Sequence, residues 1–287
     1  MQGMKTIIIT GATSGIGLAI ATTLAMDGYR VIGIGHSEQS CRKAEQLVHA
    51  SDPTGECLFK AADLMQQREV HRIADELEPY IVQTCGGKVH ALINNVGGVR
   101  SWYATTEEGY EQQFALNHLA GFLLTSRLLP YVLAARGRVV MTSSNSHKGV
   151  SIHWDDIMLE RSYNPLLAYK QSKLCNLLFT KELNSRYGSL GLRAYAVDPG
   201  LVQTDIGNKQ TGSMVSLIWS IRKRFGVAPS IPAQTYRYLC TQQEYPSGFY
   251  YYGCKEQSYS HQVTDDNARR LFALSERLCA ITYGDVS

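Results

Sequence analysis

The 287-residue sequence predicts an α/β fold in which one doubly wound parallel sheet of about seven strands carries helices on both faces. Three observations predict it. Short, continuous apolar runs rich in β-branched residues recur along the chain, as in strands buried on both faces. Helical stretches separate these runs. The first run also passes straight into a glycine loop that opens a helix, the connection that starts many sheets of this class.

The elements follow in order. Residues 5–10, KTIIIT, form the first buried strand. Thr10, Gly11, Thr13, Ser14, Gly15, Ile16 and Gly17 make a loop with glycines spaced GxxxGxG, and the helix after it stops at Gly28. Glycines there let the backbone approach a pyrophosphate, which the free N–H groups and positive end of the helix stabilise. With a strand before the loop, a helix after it and a second strand at 29–35, the pattern is that of a dinucleotide-binding Rossmann fold.

The second strand ends in His36 and Ser37 rather than in the acidic residue that hydrogen-bonds the ribose 2′-hydroxyl of NAD. That favours NADP(H), with His36, Ser37, Arg42 and Lys43 around a 2′-phosphate. Glu38 keeps NAD(H) open, and a surface-only role is the alternative for Arg42. A third strand at 57–63 brings Asp63 and Leu64 to the adenine edge, although Asp63 also fits a helix N-cap. After a charged helix at 66–84, the strand at 89–98 runs into Asn94, Asn95, Val96 and Gly97. This turn lies at the carboxyl end of a strand, where ligands collect, and its asparagines read as cofactor-side donors or as turn formers.

A long helix at 107–135 places Asn117 in the middle of its apolar face, where an amide needs partners. It either bridges core backbone groups or holds a water in a proton path. The fifth strand, 137–142, delivers Ser143 and Ser144 to the same sheet edge. Residues 164–188 form one bounded helix with Asn164 as N-cap, Pro165 at the first position and Gly188 as the left-handed residue after its end. Tyr169 and Lys173, four apart, share one face. A cation beside a phenol lowers its pKa from about 10 toward the range of proton exchange near neutrality. The sixth strand, 192–200, ends in Asp198, Pro199 and Gly200, and Val202 and Thr204 lie in the loop that would close over the nicotinamide. Residues 205–228 mix large apolar residues with Arg222, Lys223 and Arg224 and read as a lid over an apolar substrate or as a helix on a protein or membrane surface. A helix at 232–242, a strand at 248–253 and a helix at 265–280 complete a single domain over 1–287.

Composition narrows the partners. A net charge of +3 and a pI near 8.4 are too mild for a nucleic-acid surface. Seven scattered cysteines without CxxC pairs argue against a disulfide frame or zinc site and for a reducing, cytoplasmic setting. The short apolar run at the start reads as neither a signal peptide nor a membrane anchor.

Taken together, TGATSGIG (10–17), NNVG (94–97), Ser144, the Tyr169–Lys173 segment and Pro199-Gly200 resemble the short-chain dehydrogenase/reductase family in its own order, over nearly the whole chain. AYKQSKLCNLLFTKEL, NHLAGFLLT, the long insert between Ser144 and Tyr169 and the apolar lid are most similar to its retinol dehydrogenase, WW-domain oxidoreductase and protochlorophyllide reductase branch. The resemblance implies that Tyr169 is the proton donor or acceptor, that Lys173 binds the ribose and tunes Tyr169, that Ser144 rather than Ser143 orients the carbonyl, and that Asn117 completes a proton relay. It leaves a homo-oligomer open. The expected activity is NADP(H)-dependent hydride transfer to or from a small lipophilic carbonyl or alcohol. The rivals are a catalytically silent dinucleotide sensor or scaffold, and an epimerase or dehydratase, for whose sugar-nucleotide domain the region after Pro199 leaves little room.

Overall fold

Five consecutive buried residues, Thr6–Thr10, form β1 at the middle of the sheet. The computed structural model describes residues 4–203 and 226–284. The remaining strands are β2 (Arg30–Gly35), β3 (Cys57–Ala61), β4 (Ala91–Asn94), β5 (Arg138–Thr142), β6 (Arg193–Val197), β7 (Tyr250–Tyr252) and β8 (Lys255–Glu256). Their spatial order is β3-β2-β1-β4-β5-β6-β7-β8. Pairing is parallel as far as β7, and the two-residue β8 then folds back antiparallel through Tyr251–Glu256 and Tyr252–Lys255. The 248–253 run therefore yields a parallel strand plus the start of a hairpin, an eighth strand beyond the seven expected.

Alternation along the strands divides the core into two layers. Ile8, Ile32, Leu92, Val139 and Met141 face one layer, while Ile7, Ile9, Val31, Ile93 and Val140 face the other. Strand β1 lies between β2 and β4, so the chain leaves the sheet toward opposite faces on its two sides. A crevice opens there at the carboxyl ends of the strands. The outer edge of β3 is closed by side chains: Phe59 N–H donates to Glu45 Oε1 at 3.2 Å, and Ala61 C=O accepts from Arg72 Nη2 at 2.6 Å. This blunts an edge otherwise open to another strand.

The helices that connect the first six strands are α1 (Gly15–Met26), α2 (Glu38–Ser51), α3 (Gln67–Thr84) and a composite of α4 (Gln112–Phe114), a π-turn (Ala115–Leu119) and α5 (Ala120–Ala134), followed by α6 (Pro165–Tyr187). Glu111 caps α4 by accepting from the Gln113 and Phe114 N–H groups, so the helix begins later than the expected 107. Asn164 caps α6 through Leu166 and Leu167 N–H, with Pro165 at its first turn. The exit differs from expectation. Gly188 stays helical at φ −61° and starts a short 3₁₀ turn, and the left-handed residue is Gly191 at φ 94°. The helix therefore tightens before it reverses.

Helices α7 (Ser230–Thr241) and α8 (Asp265–Leu278) cover opposite layers. Thr264 caps α8, which lays Phe272 against Phe122 and Phe179, with ring centroids 5.1 and 6.1 Å apart. Among the described residues, no helix is long and apolar enough to cross a membrane.

Candidate active site

The glycine loop is built around two close approaches. A Cβ on Gly17 would stand 2.1 Å from the Gly11 carbonyl oxygen and 2.7 Å from Asn95 Nδ2, so only glycine lets α1 start this near the loop. Gly11 and Gly15 both take positive φ. Ser14, the N-cap, makes no side-chain capping bond, which leaves the first N–H groups of α1 to a ligand. Such a cradle fits the pyrophosphate of a dinucleotide. Thr13 packs against Gly35 at the end of β2, and the Ile16 side chain is buried, so Ile16 offers only its main chain.

The second loop is bolted to the first. Thr10 Oγ1 accepts from the Asn95 and Val96 N–H groups, both at 3.0 Å, and Asn95 Nδ2 donates to Thr10 C=O at 3.1 Å. Asn95 thus shapes the cradle with its side chain. Asn94 corrects the sequence reading: its side chain turns away from the crevice and donates to Thr125 Oγ1 on α5 at 3.0 Å. Gly97 lies against the catalytic candidates, since a Cβ there would meet Asn117 Oδ1 at 3.0 Å and Lys173 Nζ at 3.4 Å.

Farther out, Ser37 caps α2 by accepting from Ser40 N–H, and the exposed His36 ring stands 3.6 Å from Asp63. Asp63 accepts from Met65 N–H instead of capping α3, whose N-cap is Gln66. The Leu64 side chain is buried in the same core layer as Val70 and Ile73, so Leu64 offers only its main chain to an adenine. A cavity of about 540 Å³ opens here, lined in part by His36, Ser37, Asp63 and Arg72. Arg72 is already committed to Glu69, Glu76 and the Ala61 carbonyl. Basic side chains available to a phosphate among the described residues here are His36 and, exposed on α2, Arg42 and Lys43.

At the centre, α6 presents Tyr169 and, one turn on, Lys173. Lys173 Nζ lies 5.4 Å from the Tyr169 ring centroid and donates to Thr142 C=O at 3.1 Å. Burial lowers its pKa to about 8, against an opposing pull from the Asp198 carboxylate. Two serines at the end of β5 diverge. Ser143 Oγ is buried and donates to Lys173 C=O at 2.8 Å, whereas Ser144 is half-buried and its Oγ accepts from Ser146 N–H at 3.2 Å. Among the described residues, no acceptor takes the Ser144 hydroxyl hydrogen.

Asn117 sits in the π-turn, a local widening that often marks functional sites. Its Oδ1 accepts from Gly98 N–H at 2.8 Å, and its Nδ2 donates to Gly98 C=O and to Ser172 Oγ, both at 3.0 Å. Ser172 Oγ in turn donates to Tyr169 C=O at 2.8 Å. The amide is a clamp between the second loop and α6, with both Nδ2 hydrogens donated.

The loop after β6 completes this edge. Gly200 takes φ +71°, donates its N–H to Asp198 Oδ1 at 2.8 Å and follows Pro199. Val202 pairs with Val227, and Gln203 N–H donates to Val227 C=O at 3.0 Å. Thr204 and residues 205–225 of the expected lid lie outside the described residues.

The glycine cradle, the braced second loop and the Tyr169–Lys173 turn occupy one sheet edge, and the short chain dehydrogenase family model matches residues 5–214. The chain belongs to the short-chain dehydrogenase family. It is an oxidoreductase of alcohol and carbonyl groups. Human retinol dehydrogenase 14 is 34% identical over 302 residues, covering 95% of this chain and 85% of that protein. Human retinol dehydrogenase 13 is also 34% identical, covering 96% and 85%. Among solved structures, an uncharacterised protein from Mycobacterium paratuberculosis is 31% identical with a TM-score of 0.77, covering 98% of this chain and 96% of its own.

Sequence reasoning assigns no role to four residues around this dehydrogenase site. Thr142 receives Lys173 through its carbonyl and bonds Tyr236 Oη through its hydroxyl at 2.8 Å. Asp198 is the buried countercharge to Lys173, and His147 lies beneath Ser144. Only the DPG tripeptide hinted at one of them, Asp198. The others depend on contacts between residues far apart in the chain.

Proposed function

We propose that this dehydrogenase transfers hydride between NADP(H) and the carbonyl or alcohol carbon of a small, apolar substrate, with Tyr169 as general acid and base. The observation that carries the reading is the buried Lys173 ammonium held beside the Tyr169 ring by Thr142 C=O. The cofactor, when bound, supplies or accepts the hydride. Gly11, Gly15 and Gly17 with the start of α1 would hold its phosphates, Lys173 would reach its ribose, and Pro199 through Thr204 would border its nicotinamide. Ser144 donates a hydrogen bond to the substrate oxygen, and Tyr169 delivers a proton there as negative charge develops, or takes it in the reverse direction. Lys173 lowers the cost of the intervening phenolate.

The substrate class rests on exposed apolar residues from three elements at the same sheet edge. Trp102 follows β4, Leu166 precedes Tyr169 by three residues on α6, and Leu201 follows β6. NADP(H) is preferred over NAD(H) because His36 and Ser37 end β2 in place of an acid and Arg42 and Lys43 flank them. A metagenomic family member solved with NADP shares the fold at 22% identity and a TM-score of 0.62.

The test is an absorbance screen in the reduced-nicotinamide band, with NADPH and NADH in parallel against aldehydes, ketones and quinones of graded size. NADPH oxidation that improves with apolar chain length supports the reading. Cofactor binding by fluorescence with no turnover across the panel would make the chain a dinucleotide sensor instead.

A further inference from the structure

Beneath Ser144 lies a histidine with both ring nitrogens occupied by main chain. His147 is fully buried in the 3₁₀ turn Asn145–His147 that follows β5. Its Nδ1 is 2.7 Å from Ser144 C=O, and its Nε2 is 3.1 Å from Ser260 N–H. The partners decide the tautomer. A carbonyl only accepts and an amide N–H only donates, so Nδ1 carries the hydrogen and Nε2 the lone pair. The Tyr250 ring of β7 meets the imidazole edge-on at 5.0 Å.

We propose that His147 is a positioning residue for Ser144, fastening the Ser144 main chain to the segment after β8 so that the Ser144 hydroxyl keeps a fixed aim. The inference rests on Ser144 being the donor to the substrate oxygen. Ser144 itself uses one lone pair of Oγ for Ser146 N–H, which leaves its hydrogen for the substrate. His147 holds the carbonyl of the same residue from behind. The β5 turn is thereby tied to Ser260, 113 residues away in sequence. A donor displaced by even part of an ångström loses much of its effect on the transition state.

The arrangement also has an acid limit. Protonated imidazole would set an N–H against the Ser260 N–H and break the tie. Burial holds the imidazole below its ordinary range; Lys148 acts in the same direction, and the Ser144 carbonyl and Asp198 oppose it. Tyr250 packs against the ring, with its own phenol pushed up by burial.

The test is a double-mutant cycle on the best carbonyl substrate of the NADPH panel. Ser144→Ala should lower kcat. His147→Ala should lower kcat about tenfold or more while the NADPH Kd stays within about twofold. His147→Asn, which places an amide donor near the position of Nδ1, should recover most of that loss and show a weaker acid limb in its pH profile. In the Ser144→Ala background, His147→Ala should cost nothing further.

Equal kcat in His147→Ala, or a loss that simply adds to that of Ser144→Ala, overturns the proposal while the Ser144 reading stands. No effect of Ser144→Ala, or no turnover with any carbonyl, removes that reading and this one together. Imidazole ¹⁵N spectra provide a readout independent of activity and of variant folding. A single protonated Nδ1 persisting into mildly acid solution is expected, and free tautomer exchange at His147 overturns the assignment.

Discussion

Lys173 Nζ stands 5.4 Å from the centre of the Tyr169 ring but gives its hydrogen bond to the main-chain carbonyl of Thr142, 3.1 Å away. The cation is held by the end of β5, and Tyr169 feels its field without being locked to it. Replacing Tyr169 by Phe keeps the ring and removes only the exchangeable proton. Turnover should fall by a factor on the order of 10² to 10⁴, while fluorescence titration shows NADPH binding preserved. Undiminished turnover would show that the proton comes from elsewhere.

Lys173 links the site to stability. Its pKa falls from 10.5 to about 8 in the folded protein. Between those values the unfolded chain keeps a proton that the folded protein has shed, so this group makes stability rise with pH across that window. Below pH 8 both states carry the proton and its contribution is flat. The rise amounts to roughly 3 kcal/mol. Lys173→Met should lose this slope in urea unfolding measured on either side of the window, and an identical slope in both proteins would contradict the buried, desolvated lysine.

Asn117 satisfies both main-chain groups of Gly98 while reaching Ser172. Asn117→Ala strands those partners, at a cost of about 1–3 kcal/mol. The second loop and α6 lose their shared clamp, so kcat should fall as well. Chemical denaturation and steady-state kinetics on one preparation check both; a stable variant with full activity would reduce Asn117 to a spectator.

Gly17 is the tightest point of the phosphate cradle. A methyl group 2.1 Å from Gly11 O forces the loop or α1 to move. Gly17→Ala should weaken NADPH binding by about tenfold or more, since the phosphate-facing N–H groups shift with the backbone. Calorimetric titration decides it, and an unchanged Kd would place the cofactor phosphates elsewhere.

His118 sits among Phe114, Phe122 and Phe179, fully buried, with Nε2 on Ser275 Oγ at 2.9 Å. Burial lowers its pKa from 6.5 to about 4. The unfolded chain therefore takes up a proton first as the solution is acidified, and stability is lost as pH falls through that interval. His118→Gln should flatten the decline in unfolding free energy between those pH values, even if it lowers the starting value. A decline as steep as in the unaltered protein would exonerate His118.

Much of this molecule can be read from spacing alone. The buried strands, the glycine loop, the capped start of α6 and the Tyr169–Lys173 turn all depend on residues within about one element of each other. Local periodicity and capping express these directly. Even the late Glu111 cap only trims a helix whose apolar stripe was visible.

Where a side chain must choose between two neighbours, the sequence is silent. Asn94 and Asn95 are adjacent and alike, yet the strand pleat sends Asn94 to Thr125 and leaves Asn95 on the glycine loop. Ser143 and Ser144 part in the same way, one toward Lys173 C=O and the other toward the crevice. Gly188 and Gly191 are both plausible helix ends, and the 3₁₀ turn between them selects the second.

The sequence by itself thus determined the order of elements, the glycine loop at the head of the first helix and the one-turn spacing of Tyr169 and Lys173, because each is encoded in short-range residue patterns. Only the tertiary structure decided which amide faces inward, which serine keeps a free hydrogen, that Thr142 and Asp198 face Lys173, and that His147 bonds the Ser144 main chain. Those choices depend on hydrogen bonds and burial between segments tens to more than a hundred residues apart, and they exist only once the sheet has assembled.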